Sequence, residues 1–342
     1  MNFFKIVFLI LITSSSLAQG LETNAKKYDG MSVYKPNVVF SGYLEVISEY
    51  ITNFNSPATS DVYLSEASFT GKSNISKKIT AEIEFFHADG YADLRMDQGF
   101  LTYKASGTTA VKAGRYTLPF GKYEASLVYS SYAKAIGQSK QAAVGTSIQQ
   151  GPLSFSAYVF NGNGDTSVKG DKIDSYGGEI SAEGDNWMAA IGYISNLNDS
   201  DRLVDKVLTN TKYVDASVFS FRYEFGKGFK IFGEYITSFS RFNKSDLSFK
   251  NKGAKISAFH TELSYTRNIF GKKMIFATSA QRSKESVHLS VAERRYSIGA
   301  ARELVENTTL YTEYYIDYDY SLADGGTGKK ASSVAALFGY TF

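Results

Sequence analysis

The sequence ends with the ten residues SVAALFGYTF, at positions 333–342. Every second side chain in this stretch is apolar or aromatic, namely Val334, Ala336, Phe338, Tyr340 and Phe342. The side chains between them are mostly smaller and more polar, so the period of two predicts a β-strand with one apolar face. The last strand of a water-soluble protein usually frays into polar residues, and this strand does not. The rest of the sequence has to explain an apolar face that persists to the final residue.

The same alternation recurs from Val38 onward in segments of about ten residues, each followed by a break. In VFSFRYEF, residues 218–225, four aromatic side chains alternate with Val, Ser, Arg and Glu. Helical spacing is not sustained anywhere, so the chain reads as a series of strands. The breaks predict about sixteen strands, starting near Val38, Asp61, Lys78, Arg95, Thr109, Gln138, Pro152, Lys172, Asn186, Asp215, Gly228, Ile256, Lys272, Val291, Asn307 and Ala331.

The breaks alternate in length along the chain. FGKG is a short break, whereas RFNKSDLSFKNKG is a long one, and an even number of strands with short turns on one rim is the layout of a bacterial outer-membrane barrel. Strands of about ten residues match a tilted membrane crossing, whereas strands of soluble proteins average about five or six. We therefore predict an all-β fold over residues 38–342: a transmembrane antiparallel up-and-down β-barrel. The alternating aromatics of the last strand would face lipid, and the outer-membrane assembly machinery would recognise Phe342.

The first twenty residues, MNFFKIVFLILITSSSLAQG, have the layout of a secretory signal peptide. One cation, Lys5, precedes an apolar run that is shorter than the roughly 20 residues needed to span a bilayer. Small residues at Ser16 and Ala18 predict cleavage after Ala18, so residues 1–18 are the signal peptide and 19–37 a short periplasmic segment. These features predict an integral protein of the Gram-negative outer membrane, with both termini periplasmic and with lipid and lipopolysaccharide around it.

Charged side chains occupy the strand faces opposite the aromatics, and we predict that they line the barrel interior. A barrel of sixteen strands is too wide to be filled by side chains, so the expected interior is a water-filled channel whose charges filter solutes. Pairing between neighbouring strands is an equally good interpretation of each single charge. The candidate lumen residues are Lys104, Arg115, Arg222, Arg295, Glu82, Glu84, Glu234, Glu262 and Glu313.

The segment GRYTLPFGKYEASLVYSSYAKAIG, residues 114–137, is the longest stretch next to a strand that does not alternate. It leaves the strand that carries Arg115 and turns at Pro119, Phe120 and Gly121. We predict that it folds back into the lumen as a constriction loop. An ordinary cell-surface loop is the alternative.

Catalysis and nucleic-acid binding have little support in the sequence. The chain has 37 basic and 34 acidic residues, which gives no strongly basic surface for nucleic acid. Its nearest approach to a hydrolase site is His260 with Glu262 and Ser264 on one strand face. Residues two apart on a strand are about 7 Å apart, too far for a direct bond between nucleophile and base. We predict no enzymatic activity, no cofactor and no metal site.

Four stretches resemble the LbtU-type siderophore porin family: GRYTLPFGKYEAS, SAYVFNGNGD followed by KIDSYGGEIS, AAIGYISNLNDSDRL and, more weakly, FGEYITSF. The resemblance implies a plug-free outer-membrane barrel that passes a ferric siderophore of the carboxylate type, with the four candidate cations as its lumen contacts. This chain departs from the family in its short segment before Val38. A general or anion-preferring nutrient porin is the alternative, and a closed adhesin or structural barrel is a third class. Large porins are often trimers, so a homotrimer is one expected assembly.

Overall fold

The computed structural model describes residues 37–162, 172–207 and 212–342. The predicted signal peptide, 1–18, lies outside the described residues, and so does the predicted segment 19–37 apart from Asn37. In the described ranges no helix has the length and apolar character needed to cross a membrane.

Sixteen antiparallel strands form one closed barrel, which confirms the predicted fold class. Each predicted strand start lies within three residues of an observed start. The barrel strands are β1 Val38–Thr52, β2 Thr59–Asn74, β3 Ile79–His87, β4 Arg95–Lys104, β5 Thr109–Thr117, β6 Lys140–Gln150, β7 Leu153–Asn161, β8 Ile173–Glu183, β9 Trp187–Ile194, β10 Ala216–Phe225, β11 Phe229–Ser238, β14 Ser257–Ile269, β15 Lys272–Lys284, β16 Arg294–Val305, β17 Thr308–Tyr318 and β18 Lys330–Thr341.

The remaining elements lie in the connections between barrel strands. A two-stranded hairpin pairs β12 with β13, between β11 and β14. Its strands are β12 Ser248–Phe249 and β13 Lys252–Gly253, and the helical elements are a short α-helix, Tyr132–Gly137, and single 3-10 turns at Leu197–Asp199, Val287–Leu289 and Leu322–Asp324.

The two rims of the barrel differ in their connections. Turns of two to four residues join β2 to β3, β4 to β5, β6 to β7, β8 to β9, β10 to β11, β14 to β15 and β16 to β17. Every connection at the other rim is at least six residues long. The start of β1 and the end of β18 both lie at the rim with the short turns, which we call the short-turn rim; the opposite rim is the long-loop rim.

The barrel closes where β1 pairs with β18. Gly42 and Phe342 exchange two backbone hydrogen bonds, each 3.0 Å long. A side chain at position 42 would lie 2.3 Å from the carbonyl oxygen of Ser68 and 2.6 Å from the Phe342 ring, so only glycine fits this seam. The rings of Tyr340 and Phe342 stack on the outward face with centroids 6.1 Å apart. The apolar face of the last strand, from Val334 to Phe342, is therefore part of the outer surface of the barrel.

In a water-soluble barrel the apolar strand faces point inward, whereas in this barrel exposed aromatic side chains lie on the outer face, as β10 illustrates. On β10 the outward Phe219 and Tyr223 are 48% and 46% exposed, whereas the inward Val218 and Ser220 are buried. This alternation places aromatic and aliphatic side chains on the outer wall and charged side chains inside. A buried apolar cluster within the barrel, which includes Phe120 and Ile136, joins the wall to the loops of the long-loop rim.

Candidate functional site

The connection between β5 and β6, residues 118–139, lies inside the barrel; we call it the inward loop. At its neck the Leu118 N–H donates to the Ser139 carbonyl at 2.9 Å. Phe120 is 1% exposed. Gly121 has φ +89°, a conformation that favours glycine, and an added side chain there would lie 2.5 Å from the Tyr123 ring. Pro119, Phe120 and Gly121 therefore turn the chain onto the wall, rather than forming the edge of an opening.

Four glutamates of the barrel wall hold the backbone of the inward loop. Each carboxylate accepts a loop N–H: Glu179 on β8 from Gly121 at 3.1 Å, Glu234 on β11 from Lys122 at 2.9 Å, Glu262 on β14 from Ser126 at 3.0 Å, and Glu313 on β17 from Tyr129 at 2.9 Å. None of the four is more than 6% exposed. Hydrogen bonds to charged groups contribute about 1.5–3 kcal/mol each, so the loop is fastened along much of the barrel circumference.

This arrangement changes the role of three predicted lumen residues. Glu234, Glu262 and Glu313 do face the interior. Their carboxylates are buried beneath the loop, so they position it and are not exposed to a passing solute.

Two tyrosines fasten the second half of the inward loop. Tyr129 donates its hydroxyl to Glu49 of β1, and Tyr132 donates its hydroxyl to Asp317 of β17 at 2.9 Å. The Tyr132 N–H also donates to the side chain of Gln281 at 2.8 Å. Burial raises the pKa of the Tyr132 hydroxyl well above its usual value, so this group stays protonated and remains a donor.

Arg295 braces the same part of the loop. Its guanidinium binds both carboxylate oxygens of Asp317, at 2.8 and 2.7 Å. It also lies 3.8 Å from the centroid of the Tyr315 ring and 5.2 Å from that of Tyr132. The Arg295 side chain is 13% exposed, so it faces the interior but is enclosed by its partners. An anion in the channel would have to displace Asp317 to reach it.

Arg222 also faces the interior and lies in a cluster of charges. Its guanidinium is 2.8 Å from the carboxylate of Glu124 on the inward loop, and it pairs with Glu183 of β8. Lys230 lies 3.5 Å from the same Glu124 carboxylate. Arg222 is therefore a further contact between the wall and the inward loop.

The remaining predicted lumen residues lie on β3 and β4. Glu82 pairs with Lys72 at 3.3 Å, and Glu84 accepts a hydrogen bond from Gln98 at 2.8 Å. Lys104 is exposed at the end of β4, at the short-turn rim.

The prediction that Arg115 lines the lumen is wrong. The next residue, Tyr116, is 4% exposed and faces the interior. Arg115 pairs in register with Ala142 on the opposite, outward face, and its Nε donates to the Asp97 carbonyl at 3.3 Å. The error has a physical cause: on β5 the aromatic Tyr116 lies inside the barrel, so aromatic character does not mark the outward face of this strand.

An open cavity of about 620 Å³ lies between the inward loop and the wall formed by β1, β2 and β18. We call this cavity the eyelet. The wall contributes Glu45 and Glu66, and the inward loop forms the other side with Tyr123, Ala125, Leu127, Val128, Tyr129, Ser130 and Lys134. The ionisable side chains of the eyelet, tyrosines aside, are therefore two carboxylates and one ammonium. The eyelet therefore lies where the inward loop stands apart from the wall.

Sequence reasoning missed Glu66 and Lys134 at the eyelet. Glu66 was missed because the β1–β2 pairing shifts register between Glu45 and Val46, and a bulge of this kind changes which residues face inward. Lys134 was missed because it lies on the inward loop, where strand alternation carries no information.

Comparison with known proteins gives relatives in sequence and neighbours in fold. No family model matches the chain. A UPF0422 protein of Coxiella burnetii is 23% identical over 323 residues, which are 89% of this chain and 70% of that protein. A UPF0422 protein of Legionella pneumophila is 26% identical over 272 residues, 67% of this chain. The chain spans about half the length of the Legionella relative it matches.

Three solved structures share the fold. The anion-selective porin from Comamonas acidovorans has a TM-score of 0.64 at 13% identity, covering 90% of this chain and 100% of its own. OmpF of Salmonella typhi has 0.63 at 16% identity, and the outer membrane channel DcaP of Acinetobacter baumannii has 0.62 at 15%; both cover 91% of this chain and 100% of their own. The chain is thus similar in sequence to UPF0422 proteins, and its fold is that of sixteen-stranded porin barrels.

Proposed function

We propose that this protein is an outer-membrane channel through which small polar solutes diffuse into the periplasm. One observation carries the proposal: the inward loop is fastened to four buried wall glutamates and leaves a polar eyelet of about 620 Å³ beside it. A barrel with a purely structural role would not need a loop fastened so as to leave such an opening. The apolar outer wall supports the membrane location, because only lipid accommodates such a surface on a closed barrel.

The charge of the eyelet favours cations and uncharged solutes over anions. Glu45 and Glu66 face Lys134 across it, so its ionisable groups carry a net negative charge when all three are ionised. A pair of carboxylates beside a narrow opening attracts cations and repels anions. The alternative function, an anion-preferring porin, would require a cluster of cations, and among the residues that the structure describes Lys134 is the one cation that lines the eyelet.

The resemblance to LbtU-type porins suggests a ferric carboxylate siderophore as the solute. Of the cations that would contact it, Arg115 faces outward, and Arg295 and Arg222 are bound to carboxylates. The geometry therefore favours small solutes over an anionic siderophore, and the experiment below keeps the siderophore as a separate arm.

Catalysis is disfavoured by the same geometry. His260, Glu262 and Ser264 are all buried, and Glu262 holds Ser126 of the inward loop. A substrate could not reach this set without detaching the loop.

Single-channel conductance of the refolded protein in a planar bilayer tests the proposal. Steady conductance with a cation-preferring reversal potential in a KCl gradient is the expected result. Glu45→Gln with Glu66→Gln should shift the preference toward anions, by roughly fivefold per charge removed, because a charge at 4 Å in water is worth about 1 kcal/mol. Glu82→Gln is the matched control in the wall. A channel that never opens would refute the proposal.

A second arm adds a ferric carboxylate siderophore to the open channel. Blockage by the siderophore, without blockage by simple anions of similar size, would assign the siderophore as solute. Unchanged conductance would leave a general channel. Native mass determination tests the further proposal that the barrel assembles as a homotrimer.

A further inference from the structure

A row of cations crosses the outer wall near the long-loop rim. Arg282 on β15 pairs in register with Arg294 on β16, Arg294 with Tyr318 on β17, and Tyr318 with Lys330 on β18. The four residues therefore lie at one level on four adjacent strands. The Arg282 and Arg294 side chains are 66% and 45% exposed. The Arg294 guanidinium and the Lys330 ammonium lie 5.3 and 4.8 Å from the Tyr318 ring centroid.

A depression of about 520 Å³ adjoins the two arginines on the same outer wall. Its lining includes the small side chain of Ala280 and the rings of Phe259 and Tyr296, which are 41% and 50% exposed. An alanine between two exposed rings leaves a slot in the wall. The depression is apolar on the membrane side and bounded by guanidinium groups toward the rim.

One carboxylate also lines the depression and belongs to the charge balance. Glu293 lies 3.4 Å from Arg282 and 4.0 Å from Arg294. Two guanidinium groups therefore share one carboxylate, and the site keeps a net positive charge. An arginine presents five N–H donors, so both retain donors for another anion.

The row lies at the level expected for lipid headgroups. On β16 the outward side chains run Arg294, Tyr296, Ile298, Ala300, Arg302, so a cation stands at each end of an apolar stretch. The two arginines are eight residues apart, about 26 Å along the strand, which a tilt of about 40° reduces to about 20 Å in height. The apolar band of outer-membrane barrels is roughly 25 Å tall, and aromatic side chains flank it at the interfaces.

We propose that this site binds a phosphate-bearing lipid of the outer leaflet. The phosphate would be held by the Arg282 and Arg294 guanidiniums, which match its oxygens with paired N–H donors. An acyl chain would occupy the slot between Phe259 and Tyr296. The inference rests on the proposed location in the outer membrane, but not on which solute crosses the channel.

The test measures binding of lipid A to the refolded full-length barrel in a neutral detergent. Lipid A should bind more tightly than its dephosphorylated form. Arg282→Gln with Arg294→Gln should weaken lipid A binding by roughly 30-fold, the loss expected for two interfacial cations. Inorganic phosphate at millimolar concentration should not compete, because it cannot occupy the slot.

The matched control removes two exposed arginines at the same rim on the other side of the barrel, Arg95→Gln with Arg115→Gln. It should change binding by less than about threefold. Equal weakening by both double variants would mean non-specific attraction of an anionic lipid, and would overturn the proposal. Equal binding of phosphorylated and dephosphorylated lipid, which needs no variant, would overturn it as well.

The outcome is separable from that of the channel experiment. Arg282 and Arg294 lie on the outer wall, so their double variant should conduct like the parent protein. A barrel that conducts but ignores lipid phosphate would refute only the lipid site. A barrel that binds lipid A through Arg282 and Arg294 but does not conduct would refute only the channel.

Discussion

The wall glutamates beneath the inward loop should determine how steadily the channel conducts. Replacing Glu262 and Glu313 with glutamine keeps an amide oxygen at each position but removes the charge that strengthens the bonds to Ser126 and Tyr129. A charge-assisted hydrogen bond contributes about 1.5–3 kcal/mol and a neutral one about 0.5–1.5, so each replacement costs about 1 kcal/mol. The two together cost about 2 kcal/mol, which raises the population of the detached loop roughly 30-fold.

Single-channel recording measures this population directly as excursions from the main conductance level. Glu179 and Glu234 still hold the first half of the loop, so the main level should persist while brief steps away from it become more frequent. The control is Glu82→Gln with Glu84→Gln, which removes two inward carboxylates whose partners, Lys72 and Gln98, are wall residues. The reasoning would be refuted if the Glu262 and Glu313 variant were as quiet as the parent, or if the control were equally noisy.

Three further predictions follow from single contacts. Burial would raise the pKa of Glu285, but the Arg241 guanidinium at 2.7 Å holds that pKa below its usual value. The contact therefore stabilises the long loops above about pH 4.3, the usual pKa of a glutamate. This stabilisation is lost as the pH falls through the lowered pKa of Glu285. The chain has no cysteine, so a spin label can be attached at a single site, Lys244→Cys. The label should become mobile only in that acid range, and Glu285→Gln should make it mobile at neutral pH. A label whose mobility changes with neither would contradict this prediction. Gly121→Ala forces a side chain into φ +89° and should destabilise the inward loop by about 1–2 kcal/mol, seen as added channel noise, whereas a quiet channel would show that the loop tolerates the change. Arg115→Glu should leave the ion preference of the channel unchanged in reversal-potential measurements, because this side chain faces outward, and an inverted preference would restore it to the lumen.

The barrel itself could be predicted because lipid imposes a simple rule on sequence. Each crossing strand must place apolar side chains outward at every second position, and the breaks must alternate in length with the two rims. VFSFRYEF obeys the rule on β10, and all sixteen starts could be located from it. The terminal strand with Phe338, Tyr340 and Phe342 could be interpreted in the same way.

The roles of the interior residues could not be predicted from alternation. A period of two shows that a strand has two faces, but it gives neither the contact partners of a residue nor which face points inward. Glu262 and Glu234 were placed inside correctly, yet their partners are loop N–H groups more than a hundred residues away in the chain. Arg115 was placed on the wrong face because Tyr116, an aromatic residue, points inward.

Sequence by itself therefore determined the strand positions, the closed barrel and the segment that forms the inward loop, since each depends on local alternation or on its absence. Tertiary structure alone decided which carboxylates hold the loop and which, like Glu45 and Glu66, line the eyelet. It also brought Arg282 and Arg294 side by side on neighbouring strands. The physical reason is that these contacts depend on strand register and on bulges, which bring distant residues together without leaving a periodic trace in the chain.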